Sequence, residues 1–333
     1  MRNENLSRAE AFELLDWLLD GNATDAQIAG TLIALKQKGE TIEELTGLAE
    51  GMRARATRIN SGHECFIDTA GTGSSAAKTF NISTAAAFVI AGAGLPVAKH
   101  GNRAASSRCG SADVLTAMGV NVSVGAAVSE ACLNDIGICF MFAPLYHGAT
   151  ARVAGIRREL GVHTTFNLLG PLTNPAGAPR QIVGVWNGDL LEPMAQTLAM
   201  LGTEHAWVVH GADGLDEITI ADRTFVAEAG NGEIRMFEIV PEDFGVPRGA
   251  VADLRCDDAE ASASMIKSVL SGARQDAARN LVVANAAAAL KVGGVAQDLR
   301  DGARLAEQSI DSGAAMQKLE SLIQATNVPG KTV

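Results

Sequence analysis

From residue 65 onward the chain alternates short β-prone runs with alanine-rich helical stretches, and this alternation most limits what it can fold into. The runs fall at residues 65–69, 95–98, 138–142, 181–185 and 206–209. The helical stretches include 84–91, 112–118, 191–201 and 280–290. Two parallel strands need a long crossover, which a helix supplies, so the pattern predicts βαβ units around a mainly parallel central sheet. Residues 223–239, with Gly230-Asn231-Gly232 at their centre, predict an antiparallel hairpin. Ala and Gly are abundant while aromatic residues make up only 4%, which suits close helix–sheet packing better than a β-sandwich.

The first sixty residues read as helix throughout. Ser7 with Glu10, Thr24 with Gln27 and Thr41 with Glu44 form three capping boxes, and Gly21, Gly39 and Gly51 are expected to end the helices they start. In the first helix Ala9, Phe12, Leu15 and Leu19 make an apolar stripe that Leu14, Trp17 and Leu18 widen. So wide a stripe buries more than one face, within a small helical domain or across a dimer contact. The expected fold class is α/β, with a small all-helical N-terminal domain (1–64) and a larger α/β domain (65–333).

The chain's 333 residues are 47% hydrophobic and carry a formal net charge of −11. A polyanion partner would call for a basic excess, so nucleic acid is not expected. Five cysteines without CxxC spacing argue against a disulfide framework or a zinc site. With no apolar leader and no run of about 18 apolar residues, the chain reads as cytosolic and soluble, with no membrane partner.

Against that acidic background, residues 68–119 gather glycines, hydroxyls and cations in loops and at helix starts, which is what binding several phosphate charges requires. The turn from Gly71 to Thr79 is not a P-loop, because Ala77 stands where the second glycine belongs. It is a weak dinucleotide fingerprint, because no acid follows between Asp68 and Asp113. Asn81, Ser83 and Thr84 precede an alanine-rich helix and exceed what one cap needs. Lys99-His100-Gly101-Asn102-Arg103 follows a strand, where ligands sit in α/β sheets. Asp213, Asp216 and Glu217 follow another strand; such acids are often surface, but beside a phosphate cradle they suit Mg²⁺. Residues 140–174 are apolar apart from a few groups such as His147, Arg157 and Arg158, and an apolar pocket with one Arg suits an aromatic acid.

In this order, Lys38-Gly39-Glu40-Thr41, TFNIST, VAKHGNR, GSADVL, FAPLYH, RRELGVHTTFNLLGPLTNP, GADGLDE and NAAAAL resemble the anthranilate phosphoribosyltransferases, over nearly the whole chain. These enzymes share a glycosyltransferase family with pyrimidine nucleoside phosphorylases. The resemblance implies Mg²⁺-dependent transfer of phosphoribose from phosphoribosyl pyrophosphate to anthranilate, in tryptophan biosynthesis. It implies a homodimer through the helical domains and an active site in a hinge near residues 160–180. Phosphoribosyl pyrophosphate would be bound by Gly71, Gly73, Ser74, Ser75, Thr79, Asn81, Ser83, Thr84, Lys99, Arg103, Ser106, Ser107 and Ser111, with Lys99 and Arg103 catalytic. Anthranilate would meet Gly71, Asn102, His147, Arg157 and Gly170, and Ser83, Asp216 and Glu217 would hold the metal.

Two segments depart from the family pattern. Its GTGGDG turn here reads Gly71-Thr72-Gly73-Ser74-Ser75-Ala76, where serine hydroxyls remain as donors. Its His-Pro-Ala-Met is His147-Gly148-Ala149-Thr150. Two other readings use the same scaffold. A nucleoside phosphorylase would not need the acidic pair, and a nucleic-acid-binding relative is disfavoured by the net charge.

Overall fold

The computed structural model describes residues 4–73, 79–103 and 109–328. Three helices open the chain: α1 (Arg8–Leu19), α2 (Asp25–Lys38) and α3 (Ile42–Arg55). All three expected capping boxes form, each with both reciprocal hydrogen bonds. Gly39 caps α2 with a positive φ, as expected. Gly51 does not end α3 but lies inside it, because its role is packing: a Cβ there would stand 2.8 Å from Leu15 Cδ2. Gly47, one turn earlier, meets α1 more closely still, with Arg8 O 2.1 Å from where its Cβ would be. Two glycines on one helix face let α1 and α3 approach backbone to backbone.

The helical bundle is also tied by a buried carboxylate. Glu44 accepts from Leu6 N (2.8 Å), Lys38 Nζ (2.7 Å) and Thr41 N (2.8 Å). Burial alone would raise its pKa, but these donors outweigh burial and hold the carboxyl below its ordinary value.

After the bundle come β1 (Ile67–Gly71), α4 (Ile82–Gly92), β2 (Val97–Gly101), α5 (Ser111–Met118), α6 (Ala126–Ile136) and β3 (Ile138–Phe142). Then follow α7 (Ala143–Tyr146), α8 (Ala151–Leu160), α9 (Thr165–Leu172), β4 (Arg180–Gly184), α10 (Leu191–Met200) and β5 (His205–Gly211). A hairpin, β6 (Thr224–Gly230) and β7 (Glu233–Ile239), turns at Asn231-Gly232, both with positive φ as a two-residue type I′ turn requires. The chain closes with α11 (Pro241–Phe244), α12 (Ala259–Leu270), α13 (Ala277–Val292), α14 (Leu299–Asp311) and α15 (Ala314–Thr326).

The seven strands lie in the order β3-β2-β1-β4-β5-β6-β7. The first five are parallel and the hairpin adds two antiparallel strands at one edge. The fold is therefore a helical N-terminal unit beside a larger α/β unit with a mostly parallel sheet. Both faces of the five parallel strands are largely buried, while β7 at the edge is mostly exposed. In β4 and β5, Ile182, Trp207 and Val209 face one core, while Val183, Ala206 and Val208 face the other. That second core runs on without a break into α1–α3 and α9, so the bundle and the underside of the sheet share one interior. On the opposite face α13 is buried almost all round, and Gly302 of α14 meets it so closely that a Cβ would lie 2.6 Å from Ala287 O.

Glu44→Gln is expected to lower stability at pH 7 by about 1.5–3 kcal/mol, the worth of hydrogen bonds to a charged group. A depressed folded pKa stabilises above the unfolded value of ~4.3 and stops doing so as pH falls through the folded pKa. The gap between native and variant, read from denaturant midpoints, should thus be full at pH 7 and shrink once pH falls below the unfolded value of ~4.3 and through the folded pKa.

Candidate active site at the carboxyl ends of the strands

The strand order reverses between β1 and β4, the topological switch point where open α/β sheets hold their ligands. A cleft of about 370 Å³ opens there, built from the ends of β1 and β2, the start of α4 and the loop after β5.

Glycines decide how these pieces meet. Gly184 ends β4, and a Cβ on it would lie 1.7 Å from Asp216 O; only a bare Cα lets the loop after β5 cross the strand ends. Thr72 ties the β1 end to the same residue, donating from N (2.9 Å) and Oγ1 (3.1 Å) to Gly184 O. Asn285 of α13 clamps the crossing loop from behind, accepting from Ile218 N (3.0 Å) and donating to Ile218 O (2.9 Å). Asp213 serves the loop itself, taking Thr219 Oγ1 at 2.7 Å, which leaves Asp216 and Glu217 lining the cleft. Gly101 does the same for β2: a Cβ would meet Ser111 Oγ at 2.2 Å, so the start of α5 could not close on the strand.

Lys99 reaches the cleft from β2, only 4% exposed. Its ammonium donates to Thr69 O, to Thr69 Oγ1 (3.3 Å) and to Ser83 Oγ (3.3 Å). Burial lowers its pKa, opposed by the charges of Asp68 and Glu217. Asp68 is wholly buried and its pKa is raised by that burial to about 6, moderated by Lys99, by Asn174 Nδ2 (2.7 Å) and by His100 N (3.1 Å). Glu217 takes Ser83 N at 3.1 Å, and burial followed by the neighbouring Asp216 charge pushes its carboxyl up to about 8. Two crowded acids and a hydroxyl suit a hard divalent cation, whose charge would relieve what raises that pKa. Among the described residues no group of three or more His, Cys, Asp or Glu side chains could hold a metal, so the pair would share it with hydroxyl, water or phosphate oxygens.

The start of α4 has no side-chain cap, so a capping role does not account for Asn81. Asn81 Oδ1 and Thr84 Oγ1 are buried at the cleft without a partner among the described residues. Arg103 holds Asp113 (2.9 Å) and lies over the Phe142 ring. Arg157 donates to Asn167 Oδ1 (3.1 Å), stands 5.6 Å from the Phe166 ring centroid and has no carboxylate partner among the described residues; burial lowers its pKa.

The cleft is thus lined by Gly71, Gly73, Thr79, Asn81, Ser83, Thr84, Lys99, Asn102, Arg103, Ser111, Arg157, Gly170, Asp216 and Glu217. Ser74, Ser75, Ser106 and Ser107 lie outside the described residues. His147 is the one assigned residue, among those described, that does not line it. It is buried behind the cleft, its Nε2 3.2 Å from Thr173 O and its ring 5.2 Å from that of His100. Burial lowers the pKa of both imidazoles, that of His100 to about 3, so both are neutral. Sequence reading gave no role to Phe166 and Asn167, whose signal was the spacing of Thr164 and Asn167 as a capping box around α9. It also missed residues 254–257, which close the cleft through Phe80 N to Leu254 O (3.1 Å) and a bridge between Thr79 and Arg255; no local pattern marks them.

Two family models match, the helical bundle domain of a glycosyl transferase family over residues 1–56 and its a/b domain over 63–316. Anthranilate phosphoribosyltransferases of Moorella thermoacetica and Anaeromyxobacter dehalogenans are 51% and 52% identical, covering 96% and 99% of this chain and 94% and 97% of their own. The chain belongs to the anthranilate phosphoribosyltransferase family. The family's enzyme from Thermus thermophilus superposes with a TM-score of 0.92 at 36% identity, over 98% of this chain and 97% of that one. The Saccharomyces cerevisiae enzyme, solved with phosphoribosyl pyrophosphate and Mg, gives 0.88 at 26%, over 96% and 93%.

Gly184→Ala should displace the 213–217 loop while leaving the sheet in place. Its crystal structure is expected to show Asp216 and Glu217 withdrawn from the β1 end, with a melting temperature lowered by a few degrees. An unmoved loop would refute the role given to this glycine.

Proposed function

We propose that this chain transfers the phosphoribosyl group of phosphoribosyl pyrophosphate to anthranilate, giving N-(5-phosphoribosyl)anthranilate and pyrophosphate, in tryptophan biosynthesis. The observation that carries this reading is one cleft holding two unlike receptors: a cationic, hydroxyl-rich phosphate cradle, and Arg157 beside the Phe166 ring with no carboxylate of its own.

Gly71, Gly73, Thr79, Asn81, Ser83, Thr84 and Ser111 bind the phosphates and ribose, with Ser74, Ser75, Ser106 and Ser107 completing the set. The uncapped start of α4 adds its N–H groups and dipole. Asp216, Glu217 and the Ser83 hydroxyl hold Mg²⁺, which when bound neutralises charge on the leaving pyrophosphate. Arg157 takes the anthranilate carboxylate in two hydrogen bonds while Phe166, Asn102, Gly71 and Gly170 shape the path for the ring. His147 acts on that path through His100, which it packs against.

The amine nitrogen attacks the anomeric carbon, the carbon–oxygen bond to pyrophosphate breaks, and the amine proton leaves to solvent. A neutral aniline needs orientation more than deprotonation, so positioning supplies much of the rate and no covalent intermediate forms. Lys99 and Arg103 stabilise the negative charge growing on the leaving group.

The domains divide at residues 64 and 65, with the hinge near 160–180. Two protomers pair through the helical domain, where Trp17 on α1 and Ile33 on α2 stand exposed.

Anthranilate fluorescence is the direct assay. Added to the purified protein, the signal is expected to fall only when both phosphoribosyl pyrophosphate and Mg²⁺ are present; no fall with both would overturn the reading. By the same assay, Arg157→Ala should raise the anthranilate KM about 10- to 100-fold, the loss of a charge-assisted pair of about 1.5–3 kcal/mol. The donor KM should change far less, and equal effects on both would remove Arg157 from the carboxylate.

A further inference from the structure

A second cavity, of about 380 Å³, lies at the opposite edge of the sheet, where Phe66 leads into β1 and Pro179 into β4. The cleft opens at the other end of β1, and no residue lines both. Ile59, Phe66, Pro175 and Pro179 give it an apolar side, Asn60, Ser61 and Asn174 a polar one, and two arginines, Arg53 and Arg58, open onto it.

Many of the chain's other arginines hold a carboxylate, among them Arg8 with Glu50, Arg55 with Asp16 and Arg279 with Asp311. These two do not. Arg53 spends Nε on Leu172 O (2.7 Å) and Nη1 on Leu201 O (3.0 Å), and forms no ion pair among the described residues. Arg58 is exposed, with neither hydrogen bond nor ion pair among those residues. The nearest acid to influence Arg53 is Glu50, and Arg8 already engages both its oxygens (2.8 and 2.5 Å). Burial, then the charge of Arg58, lowers the pKa of Arg53, so the two guanidinium fields overlap and an anion between them would satisfy both. In the cleft the same combination, an arginine without a carboxylate beside an apolar wall, marks the acceptor path.

We propose that this rear cavity is a second ligand site, for a small carboxylate with an apolar body, its carboxylate between Arg53 and Arg58 and its body against Phe66 and the prolines. The guanidinium fork recognises a planar carboxylate in two hydrogen bonds, and the apolar side receives the rest.

The test is a ¹⁹F-NMR titration of the full-length protein with 4-fluorobenzoate, carried out in Arg157→Ala so that the cleft does not compete. Saturable binding is expected there, weakened at least tenfold by adding Arg58→Ala and largely kept by Arg58→Lys. Arg58 forms no hydrogen bond or ion pair among the described residues, so its variants should melt with the parent. No saturable binding in Arg157→Ala, or binding that Arg58→Ala leaves unchanged, overturns the proposal. Inorganic phosphate binding as tightly, with the same dependence on Arg58, overturns the ligand class. Should Arg157 have no part in acceptor binding, wild type and Arg157→Ala would titrate alike, and Arg58 would still decide the rear site.

Discussion

A buried ammonium organises this molecule. Lys99 lies midway along β2 within the fields of the Asp68 and Glu217 carboxylates, and an ammonium taken out of water without compensation would cost several kcal/mol. Its hydrogen bonds fix β1 through Thr69 and α4 through Ser83, and Ser83 N in turn holds Glu217 on the loop after β5. Asn174 then holds Asp68 from beyond the cleft, with a second bond to Ala98 O at 2.8 Å. Four separate segments thus converge around one buried charge, and the cleft is where they meet.

That arrangement leaves the site's own groups with opposed shifts. Burial pushes Lys99 down and Glu217 up, each toward its neutral form, and Asp216 adds like charge beside Glu217. A site with such opposed shifts is poised to gain from an anion and a cation together, as functional sites commonly are. The two histidines play a different part: neutral and buried, His100 lining the cleft and His147 behind it, they order carbonyls of α9 and the segment after it.

Close approach of backbones is the second constraint. Gly47 and Gly51 let α1 lie on α3, Gly184 lets the acidic loop cross the sheet, and Gly302 lets α14 settle on α13. The scarcity of aromatic residues follows from the same geometry, since alanine and glycine surfaces pack at shorter distances than rings allow. Gly51 also shows how local reading fails: a glycine late in a helix resembles a C-cap, and only the partner helix reveals it as a contact.

By itself the sequence determined what rests on short-range chemistry. Capping boxes fix helix starts within four residues, alternating β-prone and alanine-rich stretches fix a mainly parallel sheet, and the Gly230-Asn231-Gly232 turn fixes the hairpin. The clustering of cations and hydroxyls in residues 68–119 marked one side of the cleft for the same reason. Tertiary structure alone decided what depends on segments far apart in the chain. It placed His147 behind the cleft, set Phe166 and Asn167 beside Arg157, brought residues 254–257 across the opening, and left Arg53 and Arg58 facing a cavity without a carboxylate. These are pairings across tens to hundreds of residues, set by how buried charge and backbone contact are jointly satisfied, and no local pattern of side chains encodes them.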